Sequence, residues 1–305
     1  MRRILLVGRN GQVGTELVNH LPCLGDLVAL GRSELDLSNP GEVRRIIREV
    51  RPFIIVNAAA YTAVDQAEKE QQLAWTINAD APELMAKEAK NIGALFVHYS
   101  TDYVFDGSNN SPYEEGDAPS PINVYGKTKL AGEQAIRQVE PPYLLFRTAW
   151  VYGTVGRNFL LTILRLATER EHLRIVDDQL GTPTCSDQIA WGTTQVLRTL
   201  IERGIDSGQA GIYHMTASGQ TSWYHFAQAI LEKASGDVSN LGWFVQATGG
   251  RPLITRLISP ISTLEYPTPA KRPAYSVLSN ARLMRDFGLQ LPDWLAQLSA
   301  VLSAV

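Results

Sequence analysis

The sequence predicts an α/β fold, a doubly wound parallel sheet followed by a smaller C-terminal lobe, and three observations predict it. Short runs that are apolar throughout, such as Ile4-Leu5-Leu6-Val7, alternate with segments of helical period. Strands covered on both faces read this way, and their alternation with helices calls for parallel pairing. A glycine-spaced turn directly follows the first run, and later runs end in small or hydroxyl-bearing residues. Such residues suit the C-terminal edge of an open sheet, where these folds receive their ligands.

Bulk properties narrow the class. The 305 residues suit one large or two modest domains, and a net charge of −3 indicates no particular affinity for nucleic acid or a membrane surface. Small-molecule chemistry is the default. Cys23 and Cys185 are too few for a disulfide framework and lack metal-ligand spacing, which fits a reducing cytoplasm. Met1-Arg2-Arg3 has the basic start of a signal peptide, but polar residues and glycines interrupt the apolar run by Gly8. No run reaches the roughly 18 residues that a membrane span needs. A soluble, untargeted protein is expected.

After the Ile4–Val7 strand, Gly8-Arg9-Asn10-Gly11-Gln12-Val13-Gly14 leads into an amphipathic helix from Thr15 to Leu21. Glycines here let the backbone approach a pyrophosphate, whose charge the helix N-terminus favours. Gly8, Gly11, Gln12, Val13 and Gly14 are therefore candidate cofactor contacts of a Rossmann-type fold, with the spacing G-x-x-G-x-x-G rather than G-x-G-x-x-G. Leu27–Leu30 is the second strand and ends in Gly31-Arg32-Ser33. An acid at this place would bind the adenosine ribose hydroxyls, whereas an arginine accommodates a 2′-phosphate. Gly31 leaves the acid absent and Arg32 and Ser33 supply a cation and a donor, so NADP(H) is favoured over NAD(H). Asp36 and Leu37 follow under the adenine, unless Asp36 caps the helix that opens at Pro40.

Phe53 to Ala60 reads as a third strand, and Ala58, Ala59 and Ala60 leave room at its end for a ligand, with Tyr61 and Thr62 lining the opening. Asp65 and Glu68 to Glu70 read as a solvated helix start. A helix from Ala79 to Asn91 leads to the strand Ala94–Tyr99, which delivers Ser100 and Thr101, and Tyr143–Thr148 is a later strand. The chemistry is expected between Ser100 and Glu133, where Tyr125 and Lys129 stand four apart on one helix face. A free tyrosine has a pKa of roughly 10, so it serves near neutrality only if a neighbouring ammonium stabilises the phenolate. Lys129 is that candidate. The hydroxyl of Ser100 or Thr101 is placed to hold a substrate oxygen beside the phenol.

The glycine turn, Asn57-Ala58-Ala59-Ala60, Ser100-Thr101-Asp102-Tyr103-Val104-Phe105 and Tyr125-Gly126-Lys127-Thr128-Lys129, in this order, resemble the extended short-chain dehydrogenase/reductases that act on nucleotide sugars. With Arg147–Gly153, Asp177–Thr184, Gly211–His214, Thr221–Tyr224 and Tyr266–Pro273 added, the chain is similar to the dTDP-4-dehydrorhamnose reductases over nearly its whole length. The resemblance implies NADPH-dependent reduction of the C4 ketone of dTDP-4-dehydro-L-rhamnose to dTDP-L-rhamnose, a precursor of bacterial cell-surface polysaccharide. It also implies that Tyr125 is the proton donor, that Lys129 holds the nicotinamide ribose and lowers the phenol's pKa, and that Thr101 completes the triad, where many relatives carry serine.

Thr101, Asp102, Trp150 and Arg272 are the candidate substrate contacts. Trp150 and Tyr152 would pack on the sugar or thymine, with core packing as the alternative for Trp150. Arg272 would pair with the diphosphate, unless it is a surface arginine held between prolines. The family commonly accepts either nicotinamide cofactor, so NADH use stays open, though Gly31 stands where some relatives carry an acid. Some relatives also bind Mg²⁺ through carboxylates at a dimer contact. Glu16 and Asp187 match candidate positions, but Pro292–Gln297 lacks the glutamates to complete such a site, so no metal is assigned and a monomer or homodimer is expected. His98, His214 and His225 read as structural.

The nucleotide-binding domain is expected to span 1–149 plus about 185–205, with a helix from Asp187 to Arg203 packed back on the sheet. The substrate domain takes about 150–184 plus 206–305, its last helix running from Ser279 to Gly288. Two alternatives stay open: a reductase or epimerase of another nucleotide sugar, and a catalytically silent regulatory subunit of the same fold.

Overall fold

The computed structural model describes residues 2–204, 209–234 and 241–303. Strands β1 (Arg3–Val7), β2 (Asp26–Leu30), β3 (Ile54–Asn57), β4 (Leu95–Thr101) and β5 (Tyr143–Thr148) join the strand Gly211–His214 in one six-stranded sheet. Every pairing is parallel, and the order runs Gly211–His214, β5, β4, β3, β1, β2. The chain therefore winds outward from β1 to β2 and then returns to build the other half from β3. That reversal opens a crevice beyond the carboxyl ends of β1 and β3.

Alternation along the strands explains why the runs are apolar throughout. Leu5, Val7, Ile55 and Phe96 face the layer of α2 (Pro40–Val50) and the helix Ala81–Ile92. Ile4, Leu6, Val56 and Val97 face the layer of α1 (Gln12–His20) and the helix Ser186–Arg203. The latter packs back on the sheet as its pattern of Ile189, Ala190, Val196, Leu197 and Leu200 predicts. Beyond it, the helices Phe159–Ala167, Trp223–Ala234 and Trp294–Ser303 enclose a second core around Leu160, Phe226 and Leu298. No helix among the described residues is long and apolar enough to cross a membrane.

Four expectations change. The third strand stops at Asn57, because its side chain accepts the Ala59 N–H at 3.1 Å and turns the chain before the alanines. Gly211–His214, assigned from sequence to the second lobe, is the edge strand of the main sheet beside β5. Leu283, Leu289 and Leu291 also return to the sheet's core. Four residues carry too little pattern to reveal such a partner. The boundary expected near 205–206 touches residues outside those described. The helix expected to end at Gly288 is Ala281–Phe287, and one more follows it, Trp294–Ser303. The helix expected from Ala79 starts at Ala81, after a π-type turn over Thr76–Asp80.

Candidate active site

A cleft of about 640 Å³ lies at the carboxyl ends of β1, β3 and β4. The glycine turn forms one wall, and only glycine closes it. Gly8 has φ +94°, and a Cβ there would sit 2.7 Å from the Ala59 nitrogen. A Cβ on Gly14 would sit 1.9 Å from the Gly8 carbonyl oxygen, so Gly14 lies behind the wall while Gly8, Gly11, Gln12 and Val13 line it. No side chain caps α1 at Gly11, which leaves its first amide donors facing the cleft.

Ala58, Ala59 and Ala60 form the opposite wall, and Arg32, Asp36 and Leu37 line the far end. Ser33 is exposed and does not line it. Asp36 is not the helix cap, because Asn39 takes that role by accepting the Glu42 N–H at 3.2 Å. The Asp36 carboxylate instead accepts the Ser38 N–H and hydroxyl, and these bonds hold its pKa below the usual value. Glu34 went unread in the sequence. Its carboxylate accepts the Gly31 N–H at 2.7 Å and pairs with Arg9, so an acid does reach the end of β2, from three residues downstream.

Tyr125 and Lys129 sit on the cleft face of the helix Val124–Val139. Asn123 caps this helix by accepting the Gly126 N–H at 2.8 Å. A Cβ on Gly126 would lie 2.1 Å from the Tyr103 carbonyl oxygen, so a glycine is what lets the helix dock against the end of β4. Thr101 lies beside the phenol, and its hydroxyl donates to the Asp102 carboxylate at 2.9 Å. Burial pushes the Tyr125 phenol up to about 12, against the opposing effect of the nearby Thr101 hydroxyl. It pushes the Asp102 carboxyl up to about 6 and the Lys129 amine down to about 8.

In this conformation the lysine is bonded elsewhere than to the phenol. Its Nζ donates to the Tyr99 carbonyl at 2.6 Å and lies 3.1 Å from His98 Nε2, so burial sets the phenol's proton affinity. Ser100, rather than Thr101 or Asp102, faces the cleft. Its Oγ and that of Thr148 are buried without a partner among the described residues.

Three expected substrate residues are engaged elsewhere. Trp150, with φ +46°, stacks on Trp223 at 3.5 Å between ring centroids and 4° between planes. Gly181 packs so closely on the indole that a Cβ would lie 2.3 Å from it. Tyr152 is fully buried against Phe226. Arg272 holds Asp65 with both terminal nitrogens, at 2.8 and 3.2 Å, so Asp65, in the first turn of the helix Val64–Ala67, is also a counter-ion. Tyr103, also unread, meets the Tyr125 ring edge-on at 5.7 Å. On the far side of α1, His20 Nε2 lies 2.8 Å from Asp187, and burial, then Asp187, raises the Glu16 pKa. No group of three or more potential metal ligands occurs among the described residues.

Residues 1–305 match the family described as RmlD substrate binding domain. The chain belongs to that family. A relative of this RmlD-family chain, the dTDP-4-dehydrorhamnose reductase of Burkholderia thailandensis, is 48% identical over 293 residues, covering 96% of this chain and 95% of that protein. The protein of the same name from Escherichia coli is 44% identical over 295 residues, covering 95% and 94%. The Bacillus anthracis dTDP-4-dehydrorhamnose reductase, solved in complex with NADP, has a TM-score of 0.84 and 36% identity over 99% of both chains. The Rossmann-type fold and the family resemblance read from the sequence are both borne out.

The RmlD-family cleft fits a dinucleotide by its own geometry. The glycine cradle admits a chain of phosphates at the uncapped start of α1, and the bare Ser100 and Thr148 hydroxyls await polar partners deep in the cleft.

Proposed function

We propose that this chain is a dTDP-4-dehydrorhamnose reductase, an NADPH-dependent oxidoreductase that converts dTDP-4-dehydro-L-rhamnose to dTDP-L-rhamnose for cell-surface polysaccharide. One observation carries the reading: a phenol at the cleft wall, beside a Thr101 hydroxyl that donates to Asp102, with a buried amine one turn along the same helix.

NADPH, when bound, supplies a hydride; the proton is the protein's contribution. With its pKa pushed up to about 12, Tyr125 stays protonated at neutral pH and can donate to a nascent sugar alkoxide. Thr101 orients the phenol and shares the developing charge, and a protonated Lys129 turned into the cleft opposes the negative charge left on the ring oxygen. Gly8, Gly11, Gln12 and Val13 would receive the pyrophosphate, and Gly14 would keep that turn closed. Arg32, with Ser33, is the candidate for the 2′-phosphate, Asp36 and Leu37 flank the adenosine, and Ala58, Ala59 and Ala60 pass beneath the ring system.

For the substrate, Ser100 is the hydroxyl that faces the cleft, and Thr101 with Asp102 is proposed to act on the sugar from behind it, through Tyr125. Trp150 would shape the sugar end of the cleft through its stack on Trp223, and Arg272 would exchange Asp65 for the diphosphate. Nucleotide contacts belong mainly to the sheet lobe and sugar contacts to the second. All these groups come from one chain, so a monomer and a homodimer serve equally. A reducing cytoplasm suits Cys23 and Cys185, both free thiols.

The test is Tyr125→Phe. Turnover should be lost while NADPH binding, followed by fluorescence titration, stays near the parent value; parent-like turnover would refute the assignment. NADPH oxidation across a panel of nucleotide 4-ketosugars should favour the dTDP-linked 6-deoxy sugar, and a preference for another sugar would redirect the reading to a different reductase.

A further inference from the structure

Lys129 is 1% exposed, and its amine has two polar neighbours, the Tyr99 carbonyl at 2.6 Å and His98 Nε2 at 3.1 Å. His98 is equally buried and is held on its other side, where Nδ1 lies 3.1 Å from Asn57 Nδ2. A neutral imidazole has one N–H, so one ring nitrogen donates and the other accepts. Asn57 decides which. Its Oδ1 is committed to the Ala59 N–H at 3.1 Å, and turning the amide over would set two N–H groups against each other. Asn57 Nδ2 therefore donates to Nδ1, and the ring hydrogen sits on Nε2, aimed at Lys129. An ammonium has no lone pair to receive it, whereas an amine does.

We propose that His98 is a positioning residue which, as the Nε2–H tautomer, holds Lys129 as a neutral amine while Nζ is docked on the Tyr99 carbonyl. The surroundings agree. Glu133, one turn along the helix, is the acid facing Lys129, but both its oxygens are taken by Arg147 at 2.9 and 2.7 Å. The other titratable neighbours are His98 and the Tyr125 phenol, which bring no negative charge at neutral pH. Burial drives the Lys129 amine down to about 8 and the His98 imidazole well below its ordinary value, so above about pH 8 the pair is uncharged together.

Protonation and movement of the lysine are then one event. To hold an ammonium in the docked position, His98 would have to shift its hydrogen to Nδ1, against the Asn57 amide and the bond that fixes Ala59 in the cofactor wall. Swinging Nζ off Nε2 into the cleft removes the conflict, so the lysine takes up a solvent proton as it turns toward Tyr125. The catalytic meaning of this switch rests on the reductase reading, but the tautomer does not.

The decisive measurement is the ¹⁵N spectrum of the histidine rings in the ligand-free wild-type protein, through long-range ¹H–¹⁵N correlations between pH 6 and 9, with His98→Phe identifying the signal. A hydrogen on Nε2 and a bare Nδ1 at the high-pH end support the proposal; a hydrogen on Nδ1 there, or an imidazolium, overturns it. As a second readout, the lysine ε-¹³C titration in ligand-free His98→Phe should show the Lys129 midpoint moved up by about half a unit to one unit, since the neutral form loses a net hydrogen bond. An unmoved or lowered midpoint counts against it. Neither readout needs turnover, so both hold whatever sugar the chain reduces, and a failed Tyr125→Phe test would leave them standing.

Discussion

Burying Lys129 costs stability, and Lys129→Met should return some of it. Burial pushes the amine from 10.5 to about 8, a difference of about 2.5 pK units, and one unit is about 1.4 kcal/mol. The folded state binds this proton more weakly than the unfolded chain does, so the wild type gains stability as pH rises between the two values and carries the full penalty below about 8. The penalty is about 3.3 kcal/mol at pH 7 and about 1.4 kcal/mol at pH 9.5. The variant loses the bonds that the neutral amine makes to Tyr99 and His98, at about 1 kcal/mol each, and with these counted for the neutral form all the pH dependence lies in the proton term. The methionine variant should therefore be about 1–2 kcal/mol more stable than wild type at pH 7, with that advantage falling by about 2 kcal/mol by pH 9.5. Urea unfolding of both proteins without cofactor, at pH 7, 8 and 9.5, measures it. A difference that stays constant across this range would refute the reasoning, because only a depressed lysine generates the slope. The variant should lack turnover throughout.

Other substitutions probe the cleft and its support. Arg32→Ala should raise the KM for NADPH much more than for NADH, and equal effects in steady-state kinetics would remove Arg32 from cofactor selection. Gly126→Ala forces a methyl group against the Tyr103 carbonyl, so kcat should fall at least about tenfold as the phenol and amine leave register, since displacements near 1 Å cost about a hundredfold. Arg147→Met leaves Glu133 buried and unpaired and should lower unfolding stability by about 3–5 kcal/mol, read by denaturant titration at neutral pH.

The sheet was legible because its signals are local. β1, β2, β4 and β5 each carry a stretch of three or four consecutive apolar residues, and the glycine turn and Tyr125 with Lys129 carry their meaning within a few residues. What the sequence hid depends on distant partners. Arg272 and Asp65 meet across 207 positions, and nothing near either residue announces the pair. Trp150 looked free for a ligand because Trp223, which covers one of its faces, lies 73 residues on. Gly31 looked like a missing acid because Glu34 reaches back by a turn that spacing alone does not reveal. His98 read as structural because its three-part contact with Asn57 and Lys129 joins two strands and a helix.

Asn123 does two jobs with one side chain. Its oxygen starts the helix that carries Tyr125, and its nitrogen donates to the Lys271 carbonyl at 2.8 Å, next to Arg272. The segment that would greet an incoming diphosphate is thus knotted to the first turn of the proton-donating helix. If a diphosphate draws on Arg272 as proposed, the pull would reach the phenol's helix through one amide, and a sugar lacking its nucleotide handle would then meet a donor left slightly out of aim.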